Sequence, residues 1–134
     1  MSLFFPGGRG TRACLSYPSA YTDAILDSLA TTSAIVPSIW PLEVANVLLH
    51  AVRHKRITDV QAANFVDALA KLPIRVDEST TARAMHSIYA LAQAEKLTII
   101  DASYLDLAAR EKIALATLDK DLLKAAKKLK ITLV

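Results

Sequence analysis

The sequence predicts an α/β protein with a short, mostly parallel sheet and helices on both of its faces. Short apolar segments alternate with helical patterns from Ser19 onward, which is typical of a parallel sheet flanked by helices. The chain has 134 residues, of which 53% are hydrophobic and 22% are charged. This length and composition suit one compact domain, so we expect a single domain over residues 1–134.

The first half of the chain predicts two helices around a strand. In Ala20–Leu29 the apolar residues share one helical face. Ala34–Pro37 is a short apolar run that ends in proline, as a buried strand does. Leu42–Val52 is almost continuously apolar and follows Pro41, a residue suited to the first turn of a helix.

The middle of the chain predicts a helix, a strand and another helix. Thr58 and Gln61 have the spacing of a capping box, and the helix continues over Ala62–Leu72. Pro73–Asp77 is predicted as a brief strand. Thr80–Leu91 has apolar residues at one-turn intervals and is predicted as a helix.

The last third predicts helices and strands in alternation. The apolar run Leu97–Ile100 leads into a helix over Asp101–Glu111. Ile113–Leu118 is predicted as a strand, Asp119–Leu129 as a lysine-rich helix and Ile131–Val134 as a last short strand.

The composition disfavours several classes of protein. No apolar run reaches the roughly 20 residues that a membrane-spanning helix needs, and residues 1–18 lack the pattern of a secretory signal. Cys14 is the only cysteine, which excludes an intramolecular disulfide. The net charge of +3 is smaller than that of a protein that coats nucleic acid by charge alone. We expect a cytoplasmic protein without membrane contact.

Three acidic residues are predicted near the carboxyl ends of strands, where open α/β sheets form their sites. Asp119 follows the strand Ile113–Leu118, Asp101 follows the run Leu97–Ile100, and Glu43 begins the helix after Ala34–Pro37. Converging carboxylates repel one another and need a cation to stay ionised. Asp101 and Asp119 also stand where a carboxylate caps a helix, so capping is an open alternative for both.

Three segments around these acids resemble the PIN domain family, and its VapC-type toxins most closely. They are Pro37–Asn46, Leu97–Leu105 and Leu115–Asp119, in the family's order. The resemblance implies a three-layer α/β/α fold and a Mg²⁺- or Mn²⁺-dependent endoribonuclease that acts on RNA. It also implies a VapB-type antitoxin as partner, and a homodimer.

The resemblance also assigns site residues. It implies that the catalytic metal ligands are Glu43, Asp101 and Asp119, with Asp121 as a further ligand. Thr117 matches a hydroxyl that supports a ligand or a water, although an ordinary strand threonine is an equal alternative. Asn46 lies one helical turn from Glu43 and is assigned the same supporting role.

The N-terminus departs from the family pattern. The family opens with a central strand that ends in an aspartate, whereas residues 1–18 contain no Asp or Glu, and Pro6–Gly10 interrupts regular structure. Two functions therefore stay open. One is a nuclease that uses the remaining acids, and the other is a catalytically impaired PIN domain that binds RNA or an antitoxin.

Two basic stretches and two aromatic residues are candidates for contact with RNA. The first stretch is Arg53, His54, Lys55 and Arg56, for which a favourable charge at a helix C-terminus is the alternative. The second is Lys124, Lys127, Lys128 and Lys130, for which a solvated helix face is the alternative. Trp40 and Tyr104 are candidates to stack on bases, with core or interface packing as the alternative for Trp40.

Overall fold

Strand β2 lies in the middle of a parallel sheet. In the computed structural model, which describes residues 2–3, 27, 29 and 33–134, β1 (Ser2–Leu3) pairs with β2 (Ser33–Pro37) and β2 pairs with β3 (Ile74–Asp77). Both pairings are parallel, with Ala34 opposite both Leu3 and Ile74. The α/β class with a short parallel sheet is confirmed.

The pairing of β1 answers a question about the N-terminus that the sequence left open. The sequence did not decide whether Ser2–Phe5 supplies a strand, because Pro6–Gly10 interrupts regular structure directly after it. Ser2–Leu3 nevertheless forms a strand, since it precedes the proline and the glycines. The helix predicted over Ala20–Leu29 falls mostly outside the described residues, of which Asp27 is helical and Leu29 lies in a turn.

The helices largely confirm the predicted ones. Their bounds are α1 Trp40–Arg53, α2 Asp59–Ala70, α3 Thr80–Arg83, α4 Tyr89–Glu95, α5 Ile99–Glu111 and α6 Lys120–Lys128. The predicted capping box is present at the start of α2: the Gln61 N–H donates to Thr58 Oγ1 at 3.1 Å, and the Thr58 N–H donates to Gln61 Oε1 at 2.9 Å. Among the described residues, none of these helices has the length and apolar character needed to cross a bilayer.

Four predicted elements differ from the structure. A π-helical turn, Ala84–Ile88, separates α3 from α4 in the region predicted as one α-helix. The run Leu97–Ile100 contributes its last two residues to α5, because Thr98 Oγ1 accepts the N–H of Asp101 at 3.1 Å and so caps that helix. In place of the two C-terminal strands, the structure has a single parallel bridge between Leu115 and Leu133.

Helix α5 runs through the core. Seven consecutive residues, Ala102–Ala108, are buried, so this helix is covered on every side. The core around it contains side chains from β2, α1 and α6, including Val36, Leu48 and Leu122. Burial therefore fixes the position of α5 relative to the sheet.

Four charged side chains join α5 to its neighbours. Arg83 donates two hydrogen bonds of 2.8 Å to the carboxylate of Asp106. Arg110 donates one of 2.8 Å to Oδ2 of Asp77, at the carboxyl end of β3. Both carboxylates are buried, so charged donors compensate for their lost hydration. These contacts join α5 to β3 and α3.

Candidate active site

Glu43 and Asp101 form an acidic pair at the start of two helices. Glu43 lies in the first turn of α1, and Asp101 lies in the first turn of α5. Burial raises the pKa of Glu43, and the negative charge of Asp101 raises it further, while a hydrogen bond from Tyr104 acts in the opposite direction. The structure therefore brings these two predicted site residues within electrostatic range of each other.

Tyr104 holds the Glu43 side of this pair. Its hydroxyl donates a 2.7 Å hydrogen bond to Oε1 of Glu43. Burial and the charges of Glu43 and Asp101 raise the pKa of Tyr104 well above 10, so the phenol stays a neutral donor. The side chain is 0% exposed, which rules out the predicted stacking on RNA bases. Trp40 is buried as well, in agreement with its packing alternative.

Asp119 is buried and caps α6. Its Oδ1 accepts the N–H groups of Asp121 at 2.9 Å and Leu122 at 3.0 Å. The Asp119 N–H in turn donates to Thr117 Oγ1 at 3.0 Å. The capping alternative is therefore present in the structure, and Thr117 supports the backbone of this residue. The role of Asp119 as a metal ligand stays a prediction.

The remaining candidate ligand, Asp121, and the supporting residue Asn46 lie on the surface. Asp121 and Asn46 are exposed, with Asn46 one turn along α1 from Glu43. Within residues 33–134 and the few described before them, no three Asp, Glu, His or Cys side chains form a group that could hold a metal ion. The pair Glu43–Asp101 supplies carboxylate oxygens of the kind that Mg²⁺ prefers, and such sites usually complete their coordination with water. The chemistry of the pair thus fits a divalent cation.

Asp77 is an acid that the sequence analysis missed. It ends β3, so the rule that favours the carboxyl ends of strands would have selected it. Burial raises its pKa, but the hydrogen bonds from Arg110 and Ser79 outweigh this effect and lower the pKa below 3.8. Its negative charge is balanced by Arg110, so it belongs to the ionic contacts of the fold.

The first basic stretch lies far from the acidic pair. Arg53 ends α1, and His54, Lys55 and Arg56 follow it on the exposed surface. Ten residues of helix separate Glu43 from Arg53, which corresponds to roughly 15 Å along the axis. Contact of this stretch with RNA stays a prediction.

The fold and the sequence were compared with known proteins. Residues 15–128 match the PIN domain family. No curated protein matched the chain. The crystal structure of PAE2754 from Pyrobaculum aerophilum is similar with a TM-score of 0.62 and 21% identity, and the match covers 92% of this chain and 84% of that one.

The crystal structure of FitAcB from Neisseria gonorrhoeae is similar with a TM-score of 0.59 and 18% identity, and the match covers 99% of this chain and 96% of that one. At these identities both likenesses concern the fold. The family match extends over most of the chain, including both residues of the acidic pair. The chain therefore belongs to the PIN domain family.

Proposed function

We propose that the chain is a Mg²⁺- or Mn²⁺-dependent endoribonuclease, the VapC-type toxin of a toxin–antitoxin pair. The observation that carries this proposal is the hydrogen bond that joins Glu43 to Tyr104 of α5, the helix that also carries Asp101, in a protein of the PIN domain family. Two like charges held together by two anchored helices favour the binding of a cation. The proposed catalytic metal ligands are Glu43, Asp101 and Asp119, and Asp121 is proposed as a further metal ligand.

The other residues of the site orient these carboxylates. Tyr104 holds one oxygen of Glu43, which leaves the second oxygen for a ligand. Thr98 and Thr117 fix the backbone at Asp101 and Asp119 through their hydroxyl groups. When bound, a divalent metal would activate the attacking water and stabilise charge on the phosphodiester.

An apolar groove beside the acidic pair supports the proposal of a protein partner. It has a volume of about 190 Å³, and its lining includes Leu42 and Ile100, the neighbours of Glu43 and Asp101 in the chain. Leu42 is 67% exposed and Ile100 is 42% exposed. Exposed apolar patches mark protein contacts. The proposed partners are a VapB-type antitoxin and a second copy of the chain, in the cytoplasm.

A second candidate function is a PIN domain that binds RNA or an antitoxin and does not cut RNA. Two observations favour it. Residues 1–18 contain no acid, and no group of three metal-binding side chains is found in the part of the chain that the structure describes.

A cleavage experiment separates these two functions. Purified chain is incubated with total cellular RNA and with tRNA, in Mg²⁺, in Mn²⁺ and in a chelator. Asp101→Asn is the test variant, and Asp67→Asn, which changes an exposed acid of α2, is the matched control. The proposal expects cleavage by the wild type and by Asp67→Asn, and none by Asp101→Asn or in the chelator. A folded wild type that leaves RNA intact in both metals would reject the nuclease.

Metal binding has a readout that does not depend on cleavage. A ligand that binds only the folded state raises stability by about 2.7 kcal/mol at 100 times its dissociation constant. We expect Mn²⁺ to raise the thermal midpoint of the wild type and of Asp67→Asn. The midpoint of Asp101→Asn is expected to stay the same in Mn²⁺ and in the chelator.

A further inference from the structure

A polar cavity lies between the C-terminal end of α4 and one face of α6. Its volume is about 370 Å³. Three lysines and two acids contribute to its wall, and the lining residues are Ala94, Glu95, Lys96, Asp121, Lys124, Ala125 and Lys128. Asp121 is one of the proposed metal ligands, and Lys124 and Lys128 belong to the second basic stretch.

One of the three lysines in this cavity forms an ion pair with a carboxylate of the described residues. Lys128 Nζ contacts both carboxylate oxygens of Glu95, at 3.0 and 3.1 Å. The side chain of Glu95 is only 10% exposed, so Lys128 balances the negative charge of a largely buried carboxylate. Lys96 and Lys124 have no carboxylate partner among the described residues. Two ammonium groups therefore remain available to an anion.

The cavity adjoins the proposed acidic site. Asp121 forms part of its wall, and the backbone N–H of Asp121 donates to Oδ1 of Asp119 at 2.9 Å. Lys124 is one turn further along α6, or about 4.5 Å along the helix axis. A polynucleotide that lies across Asp119 and Asp121 thus reaches the two available lysines within a short length of its backbone.

We propose that this cavity binds a backbone phosphate of a single-stranded nucleic acid next to the bond that is cut. The inference rests on the proposed function and adds a substrate-binding site to it. Lysine ammonium groups suit this role because they bind phosphate as point charges and read no base. Asp121 repels the phosphate, so the phosphate is expected on the side of Lys96 and Lys124.

The test measures binding in a chelator, where no metal-dependent cleavage occurs. The double variant Lys96→Ala/Lys124→Ala is compared with Lys112→Ala/Lys71→Ala, which changes the net charge equally. Lys112 is a matched control for Lys96, because both end a helix in the left-handed conformation, with φ of 54° and 55°. Lys71 follows α2 on the exposed surface and is absent from the cavity wall.

Fluorescence anisotropy gives the dissociation constant of one labelled RNA, and of single-stranded DNA of the same sequence, over a series of KCl concentrations. Each lost phosphate contact lowers the slope of log K against log salt by about 0.7 for single strands. The cavity variant is expected to lose about 0.7 of slope on both nucleic acids, because one phosphate contact is removed, and the control variant much less. Equal losses in the two variants would overturn the proposal, as would a loss confined to RNA, because the recognised group would then be the ribose.

The failure of this inference and the failure of the proposed function have different signatures. A wild type that does not cut RNA, together with the expected slopes, would reject the nuclease and retain the phosphate site. Metal-dependent cleavage with equal slopes in both variants would reject the phosphate site and retain the nuclease.

Discussion

The hydroxyl of Tyr104 reaches across 61 positions of sequence to hydrogen-bond Glu43 at 2.7 Å. Tyr104 belongs to α5, which also carries Asp101 one turn earlier, whereas Glu43 belongs to α1. The bond therefore sets the geometry of the acidic pair, because it joins the two helices that bear the two carboxylates.

Replacing Tyr104 by Phe keeps the ring and removes this donor. Loss of a hydrogen bond to a charged acceptor is expected to cost about 2 kcal/mol of unfolding free energy. Loss of a group that orients a metal ligand is expected to weaken Mn²⁺ binding by about 10-fold or more. Denaturant unfolding and calorimetric titration with Mn²⁺ measure the two effects. Tyr89→Phe, at a residue 56% exposed, is the matched control, and an unchanged Mn²⁺ affinity in Tyr104→Phe would contradict the prediction.

Two substitutions of Asp119 separate its capping role from its proposed role as a ligand. Asparagine caps a helix about as well as aspartate, whereas alanine does not, at a cost of about 1 kcal/mol. We expect Asp119→Asn to have the same free energy of unfolding as the wild type. The free energy of unfolding of Asp119→Ala is expected to be about 1 kcal/mol lower. Both variants are expected to lose metal-dependent cleavage. Full cleavage by Asp119→Asn would identify Asp119 as a cap alone.

The cap of α5 is expected to matter for activity as well as for stability. Thr98→Ala removes the hydroxyl that accepts the N–H of Asp101, at a cost of about 1 kcal/mol, and frays the turn that carries this acid. Cleavage is expected to need a higher Mn²⁺ concentration. Thr58→Ala removes the equivalent cap of α2, so its stability should fall similarly with no change in the Mn²⁺ requirement. The same Mn²⁺ requirement in both variants would refute this prediction.

The contact between Arg110 and Asp77 predicts a pH dependence of stability. Burial raises the pKa of Asp77, but hydrogen bonds from Arg110 and Ser79 bring it below 3.8. A carboxyl whose pKa is lowered on folding stabilises the fold above its ordinary pKa and loses this contribution as the pH falls. Arg110→Ala is therefore expected to cost about 2 kcal/mol at neutral pH, and less as the pH falls below 3.8.

Urea unfolding at pH 7 and pH 3 measures this difference. Arg75→Ala, at an exposed arginine of β3, is the matched control and is expected to change stability little at either pH. A cost of Arg110→Ala that is the same at both pH values would show that the contact with Asp77 is not its source.

Local signals in the sequence predicted local structure well. The capping box of Thr58 and Gln61 was predictable because the partners are three residues apart. The run Leu97–Ile100 was predicted to lead into a helix that begins at Asp101, but the cap formed by Thr98 starts this helix two residues earlier, at Ile99. The π-helical turn Ala84–Ile88 was missed because an apolar pattern at one-turn intervals does not reveal one extra residue in a turn.

Contacts between distant residues could not be predicted from the pattern. Asp101 and Glu43 were selected by their position at the start of helices, and the structure brings them into electrostatic range. The bond from Tyr104 to Glu43 was missed, because nothing in the spacing of the residues shows which face of α5 meets α1. For the same reason the sequence did not reveal that Arg110 balances the charge of Asp77, 33 positions away.

The two helices that carry the acidic pair are buried to different degrees, with α5 buried more fully than α1. Asp101 and Tyr104 belong to a helix whose residues Ala102–Ala108 are all buried, so a shift of this side would disturb the whole core. In the described part of the chain, the buried residues of helix α1 lie along one face, and they are Trp40, Val44, Leu48 and Ala51. A change in the separation of the two carboxylates would therefore require a shift of α1 against α5, and the hydrogen bond from Tyr104 to Glu43 opposes such a shift.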